Sequence, residues 1–344
     1  MSDDRGMSYR DAGVDLEAAA RAKSSLKELV ARTRDGNTLS ELGSFGGLYA
    51  VPGDVTRPVL VSSADGVGTK LKLAFLTGRH DTVGQDLVNH CVNDILVQGA
   101  MPLFFLDYLA TGHLEEGVVT EVVRGVAQAC LENECALLGG ETAEMPDFYP
   151  EGEYDLAGFI TGVVERDGIL DGSRIRPGDA LVALGSSGLH TNGYSLARAI
   201  VFEAMGLDVD AELPGVGTSV GEALLSIHRS YRKVLASPLK EDRLHALAHI
   251  TGGGIPGNLP RVLTEGLGAR IETGSWEPPA IFQVLQDGGR VDRDEMYRVF
   301  NMGVGMIAVT EEGEASSLVE ELNRNGQESW ILGQILPEPG VELI

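Results

Sequence analysis

Residues 59–111 read VLVSSADGVGTKLKLAFLTGRHDTVGQDLVNHCVNDILVQGAMPLFFLDYLAT, and this stretch decides the fold. Residues 59–64 are a short apolar run ending in turn formers, which predicts a strand. Residues 82–98 place Val83, Leu87, Cys91 and Ile95 on one helical face, and residues 103–110 are apolar again. Strand, helix and strand in that order call for α and β layers packed on a common core.

The alternation continues on both sides. Residues 48–51 predict an earlier strand, 115–133 a helix, 136–138 a short strand and 156–165 a longer one. Asp171-Gly172-Ser173 and Pro177-Gly178-Asp179 then cluster turn formers, so a domain boundary is expected there. Beyond it come strand 180–184, helix 194–204, one long helix over 220–235, strand 244–250, helices at 256–263 and 277–286, strand 304–309, helix 312–323 and strand 329–335. The first 45 residues read as an appendage: Asp15 caps a helix carrying Leu16, Ala19, Ala20, Leu26, Leu29 and Val30, and the glycine-rich loop at 43–47 follows as a hinge. The expected division is therefore 1–45, 46–168 and 169–344.

The chain has 344 residues, of which 43% are hydrophobic, so extended disorder is excluded. Its 45 glycines supply many tight turns and close backbone approaches, which suits phosphate binding. A formal charge of −24, with Lys+Arg at only 27, repels nucleic acid and anionic membranes over most of the surface. An anionic ligand must then be held by metal ions and a few placed cations. Cys91, Cys130 and Cys135 are odd in number and lack metal-type spacing, which fits a reduced, cytoplasmic setting. No apolar run is long enough to span a membrane, and Met1-Ser2-Asp3-Asp4-Arg5 does not open like a signal peptide.

Five clusters can carry chemistry. In Asp65-Gly66-Val67-Gly68-Thr69-Lys70, after a strand, backbone N–H groups can turn toward phosphate while Asp65 binds Mg²⁺ and Lys70 contacts phosphate. Asp86, His90 and Asp94 share one helical face, either as a functional set or as a solvated polar stripe. Gly139-Gly140-Glu141-Thr142-Ala143-Glu144 reads as a diglycine turn with hard oxygen ligands. Gly185-Ser186-Ser187-Gly188-Leu189-His190-Thr191-Asn192-Gly193 gathers donors for phosphate oxygens, with His190 as donor or acid/base. His249-Ile250-Thr251-Gly252-Gly253-Gly254 is the last; Gly252, Gly254 and Gly257 also match a dinucleotide fingerprint, with Glu272 as the ribose acid of that rival reading.

Taken in order, these motifs, together with 8–15 and 295–305, resemble the phosphoribosylformylglycinamidine cyclo-ligases, or AIR synthetases, over nearly the whole chain. The resemblance implies a two-domain α+β (α/β-like) fold, whose N-terminal domain forms a dimeric β-barrel and whose C-terminal domain is an α/β sandwich. It implies ATP-dependent closure of formylglycinamidine ribonucleotide (FGAM) to 5-aminoimidazole ribonucleotide (AIR), with ATP and Mg²⁺ bound and a homodimer as the working unit. By the same resemblance Asp65, Asp94 and Glu141 hold Mg²⁺ against ATP. Lys27, Gly66, Gly68, Thr69, Lys70, Gly139 and Gly140 line the nucleotide. Residues 13–15 form a closing flap. Ser187, Gly188, His190, Thr191, Asn192, Thr251, Gly252 and Gly253 face the substrate. His190, His249 and Lys27 are the expected catalytic groups, with the role of His249 left open between proton donor and metal neighbour.

Overall fold

Two sheets organise the chain, and the computed structural model describes residue 21 and residues 26–344 of it. The expected cap at Asp15 and the flap at 13–15 lie outside the described residues; residues 26–31 are helical, with Val30 buried.

The first sheet has the order β1-β4-β2-β3, built from β1 (Pro58–Gly66), β2 (Met101–Thr111), β3 (Ala136–Glu144) and β4 (Tyr154–Glu165). β4 runs antiparallel to both β1 and β2, while β2 and β3 are parallel. The parallel pair needs a crossover, and helix α3 (Glu116–Glu132) supplies it. Helix α1 (Leu71–Thr77) follows β1, and α2 (Asp81–Leu96) packs beside α3 on one face of the sheet. Two glycines set that approach: a Cβ on Gly125 would sit 1.9 Å from Asp81 O, and one on Gly84 would sit 2.2 Å from Val122 O. The residues at 48–51 form only an isolated bridge, Thr38 to Tyr49.

The second sheet has the order β10-β7-β9-β5-β8-β6. Its strands are β5 (Ala180–Gly185), β6 (Ala246–His249), β7 (Gly268–Ile271), β8 (Val304–Thr310), β9 (Ser329–Leu336) and β10 (Gly340–Leu343). β5 and β8 are buried at every position, which explains their unbroken apolar reading. Helices α4 (Tyr194–Arg198), α5 (Val220–Leu224), α6 (Arg232–Lys240), α7 (Gly254–Asn258), α8 (Ala280–Gly289), α9 (Arg293–Val299) and α10 (Ala315–Arg324) complete this half.

Three expectations need correction. The long helix over 220–235 is two helices, α5 and α6, separated by an irregular segment through His228. Gly139 and Gly140 do not turn; they continue β3 past β2. The short helix α7, with Pro256 inside it, is not the long phosphate-facing helix that a dinucleotide fold requires.

Candidate active site

Helix α2 is buried on almost every side, and its polar residues are spent on one partner: the segment between α5 and α6. Asp86 Oδ1 accepts from the His228 N–H at 2.7 Å, and Asn89 Nδ2 donates to His228 O at 2.8 Å. Asn93 Oδ1 accepts from the Tyr231 N–H at 3.0 Å, while its Nδ2 donates to Arg229 O at 2.8 Å. The stripe read from spacing as possibly solvated is therefore a ladder into the second domain.

At the C-terminal end of that ladder the acidic and imidazole groups meet. His90 Nε2 lies 2.7 Å from Asp65 Oδ2 and 3.7 Å from Asp94 Oδ2. Asp94 Oδ1 accepts from His249 Nδ1 at 2.9 Å, and Ser63 Oγ donates to Asp94 Oδ2 at 3.2 Å. Burial pushes both carboxyls up, but the hydrogen bonds and positive character of their histidines outweigh it and hold Asp65 and Asp94 below the usual range. Burial lowers His90, yet Asp65 and Asp94 together raise it. His190 and His228 are held well below the ordinary imidazole value by burial and by neighbouring cations.

The 185–193 loop closes over this cluster. Thr191 Oγ1 lies 2.7 Å from His90 Nδ1, and Thr69 Oγ1 lies 3.2 Å from Ser195 Oγ, so the phosphate-type loop and the substrate-type loop touch. His190 takes a left-handed backbone (φ 60°), and its ring stacks on His228 at 4.0 Å. Its Nε2 accepts from the Ser187 N–H at 3.2 Å, so the proton sits on Nδ1, a buried atom with no partner in this chain. Asn192 Nδ2 is a second buried donor without a partner. Unpaired buried donors are rare and mark places where a ligand completes the bonding. Asn192 also reaches the other glycine loop, its Oδ1 lying 3.1 Å from where a Cβ on Gly252 would be. Thr251 is turned away to Asn258, Gly188 O accepts from Ser186 Oγ and Asn301 Nδ2, and Ser187 Oγ donates to Ile227 O.

The structure does not bring every expected residue here. Lys70 is no phosphate contact: it is fully buried, paired with Asp86 at 2.7 Å, and donates to Ser226 O at 2.7 Å and His190 O at 3.2 Å. Lys27 is exposed on the helical segment 26–31. Glu141 does not join Asp65 and Asp94 within one chain. Asp65, Gly158, Asp107 and Gly140 form one row across the sheet, which puts β3 three strand spacings, roughly 14 Å, from β1. Glu141 is one residue further on and therefore points to the opposite face, where it is exposed. Gly140 instead makes room for Asp107, whose Oδ1 lies 2.2 Å from where a Cβ would stand.

Two functional candidates escaped sequence reading. His228 carried no motif, since its neighbours read as helix. Asp107 sat in an apolar strand; burial pushes its carboxyl up to about 7.

Comparison with known proteins follows the same two halves. The N-terminal domain model of AIR synthase related proteins matches residues 50–164, and the corresponding C-terminal domain model matches residues 176–344. A phosphoribosylformylglycinamidine cyclo-ligase of Sorangium cellulosum is 53% identical over 96% of this chain and 95% of its own. Among solved structures, a thiamine-monophosphate kinase from Stenotrophomonas maltophilia superposes with a TM-score of 0.72 at 18% identity, covering 93% of this chain and 95% of that one. The hydrogenase maturation protein HypE in complex with ATP gives 0.65 at 18% identity, covering 94% and 88%. At such identity the structural likeness speaks for the fold alone.

Proposed function

The chain belongs to the phosphoribosylformylglycinamidine cyclo-ligase family, and on that premise we propose how its residues perform the ATP-dependent closure of FGAM to AIR in purine biosynthesis. A formamide oxygen is a poor leaving group and its phosphate a good one. ATP therefore phosphorylates the formyl oxygen, an internal nitrogen of FGAM attacks that carbon, and phosphate departs. Alignment and charge stabilisation carry most of such a reaction, and no covalent nucleophile from the protein is needed.

The observation that carries this reading is the meeting of Asp65, Asp94 and the 185–193 loop around His90. Two carboxylates converging on one point, both partly open to solvent, form an oxygen donor set that fits Mg²⁺. Asp65 and Asp94 would hold the ion, which when bound neutralises the ATP phosphates. Gly66, Gly68 and Thr69 offer backbone and hydroxyl donors on the nucleotide side. His190 Nδ1–H and Asn192 Nδ2–H, unpaired and buried, take the phosphorylated substrate's oxygens. His249, held through Nδ1 by Asp94, ties the metal side to the glycine loop at 252–254.

The working unit is a homodimer. The sheet face turned away from α2 and α3 carries Leu60 and Phe159, which are 57% and 48% exposed, beside Glu141. Burying that face against its counterpart closes the four-stranded sheet into a barrel and lets Glu141 act across the subunit boundary. The three domains expected from sequence fit this scheme, with the cleft between 46–168 and 169–344 as the site.

Purified protein given ATP, Mg²⁺ and FGAM should form AIR with stoichiometric ADP and phosphate. ATP hydrolysis without ring closure would instead place this chain with the kinases of the same fold.

A further inference from the structure

Three imidazoles from distant parts of the chain meet beside the acid pair: His90 on α2, His228 in the segment between α5 and α6, and His249 at the end of β6. All three are buried. Their ring centroids form a nearly equilateral triangle, with sides of 5.1 Å (His90–His228), 5.1 Å (His90–His249) and 5.2 Å (His228–His249). One ring nitrogen of each lies within 4.8 Å of the other two. We propose that this triangle is a second cation site, built for a divalent transition ion of the zinc class and separate from the oxygen site formed by Asp65 and Asp94.

The dimensions support it. With Zn–N of about 2.0–2.1 Å and a ring centre about 1.1 Å beyond the nitrogen, tetrahedral coordination puts three imidazole centroids about 5.2 Å apart. The outward atoms support it too. Each Nδ1 is tied to oxygen: Thr191 Oγ1 stands 2.7 Å from His90 and 3.3 Å from His228, and Asp94 Oδ1 stands 2.9 Å from His249. Metal-binding histidines characteristically give one ring nitrogen to the ion and the other N–H to an oxygen, and a hydroxyl has two lone pairs with which to accept from two rings.

Hydrogen-bond polarity adds an independent argument. A carboxylate only accepts, so His249 Nδ1 carries hydrogen and a neutral ring leaves Nε2 bare. Asn93 is oriented by Tyr231 N–H and Arg229 O, so its Nδ2 donates to His228 Nε2 at 3.2 Å, and that nitrogen is bare as well. These two acceptors face each other at 3.1 Å. Something positive belongs between them, and the distance is close to the edge of about 3.3 Å expected in a zinc tetrahedron. On loading, the Asn93 contact to His228 yields and its bond to Arg229 O remains. Imidazole nitrogen selects transition ions over Mg²⁺, so the two sites discriminate by donor type.

The test needs neither ATP nor FGAM, so its outcome is independent of the ligase assay. Chelator-stripped full-length protein, kept in millimolar Mg²⁺, is titrated with Co²⁺ and then with Zn²⁺. The expected result is one Co²⁺ per chain with the intense visible absorption of four-coordinate cobalt, displaced by Zn²⁺. His228→Asn should weaken binding at least roughly tenfold, with the circular dichroism unchanged. If that variant misfolds, His90→Gln should show the same loss. Absence of the cobalt band, or an affinity that neither substitution changes, overturns the site and leaves a protonated histidine network in its place.

Discussion

Asp94 Oδ1 and His249 Nδ1 stand 2.9 Å apart across the boundary between the two domains. The same carboxylate offers its other oxygen to Ser63, so one side chain serves the phosphate half and the substrate half together. Asp94→Asn keeps the shape but replaces an acceptor-only group with a partial donor facing an N–H. AIR formation at saturating ATP is expected to fall about a hundredfold or more, with the unfolding curve little changed. Turnover within a few-fold of the parent protein would remove Asp94 from the machinery.

Glu141 gives a test of the dimer. Glu141→Gln and Asp94→Asn should each be nearly inactive alone. If Glu141 serves the neighbouring subunit, mixing the two after reversible dissociation regenerates one intact site in each hybrid. Half the dimers are hybrids, so roughly a quarter of the parent activity should return. A mixture as inactive as its components would place Glu141 outside the partner's site.

Lys70 and Asp86 form a fully buried ion pair. Removing one member leaves the other charged in a dry environment, so Lys70→Met is expected to cost about 3–5 kcal/mol in urea unfolding. Adding Asp86→Asn removes the orphaned charge while keeping the acceptor for His228 N–H, and should recover a large part of that loss. No recovery in the double variant would argue against a charge-pair origin.

Asp107 sets a pH dependence. Its folded carboxyl titrates at about 7, well above its unfolded value of 3.8. The unfolded chain therefore gives up this proton first, and the native state loses stability as pH rises from about 4 through 7. Asp107→Asn should stabilise by a few kcal/mol at pH 8 and by little at pH 4. Denaturant midpoints of both proteins across that range measure it, and parallel curves would contradict the burial argument.

Much of the fold was legible because apolar runs matched the element that buries them. The run at 59–64 became Pro58–Gly66, and the stripe over 82–98 became Asp81–Leu96. The break at His228 was not legible. Leu224, Leu225, Tyr231 and Leu235 continue a helical pattern, and what unwinds the chain is Asp86, 142 residues earlier. Gly139-Gly140 was misread because diglycine is usually a turn; here it is the thinness of the strand that matters, against Asp107. Lys70 looked like a phosphate ligand because nothing local shows that Asp86 lies underneath. Asp65, Asp94, His190 and His249 were found since each closes a motif at the end of an element, where side chains are free to converge.

The ladder on α2 grips only main-chain atoms of residues 228–231. Such a grip is blind to which side chains the segment carries. Position 228 is consequently free to drift over evolutionary time without undocking the domains, and a lineage could gain or shed an imidazole there in a single mutational step while the catalytic cleft keeps its shape.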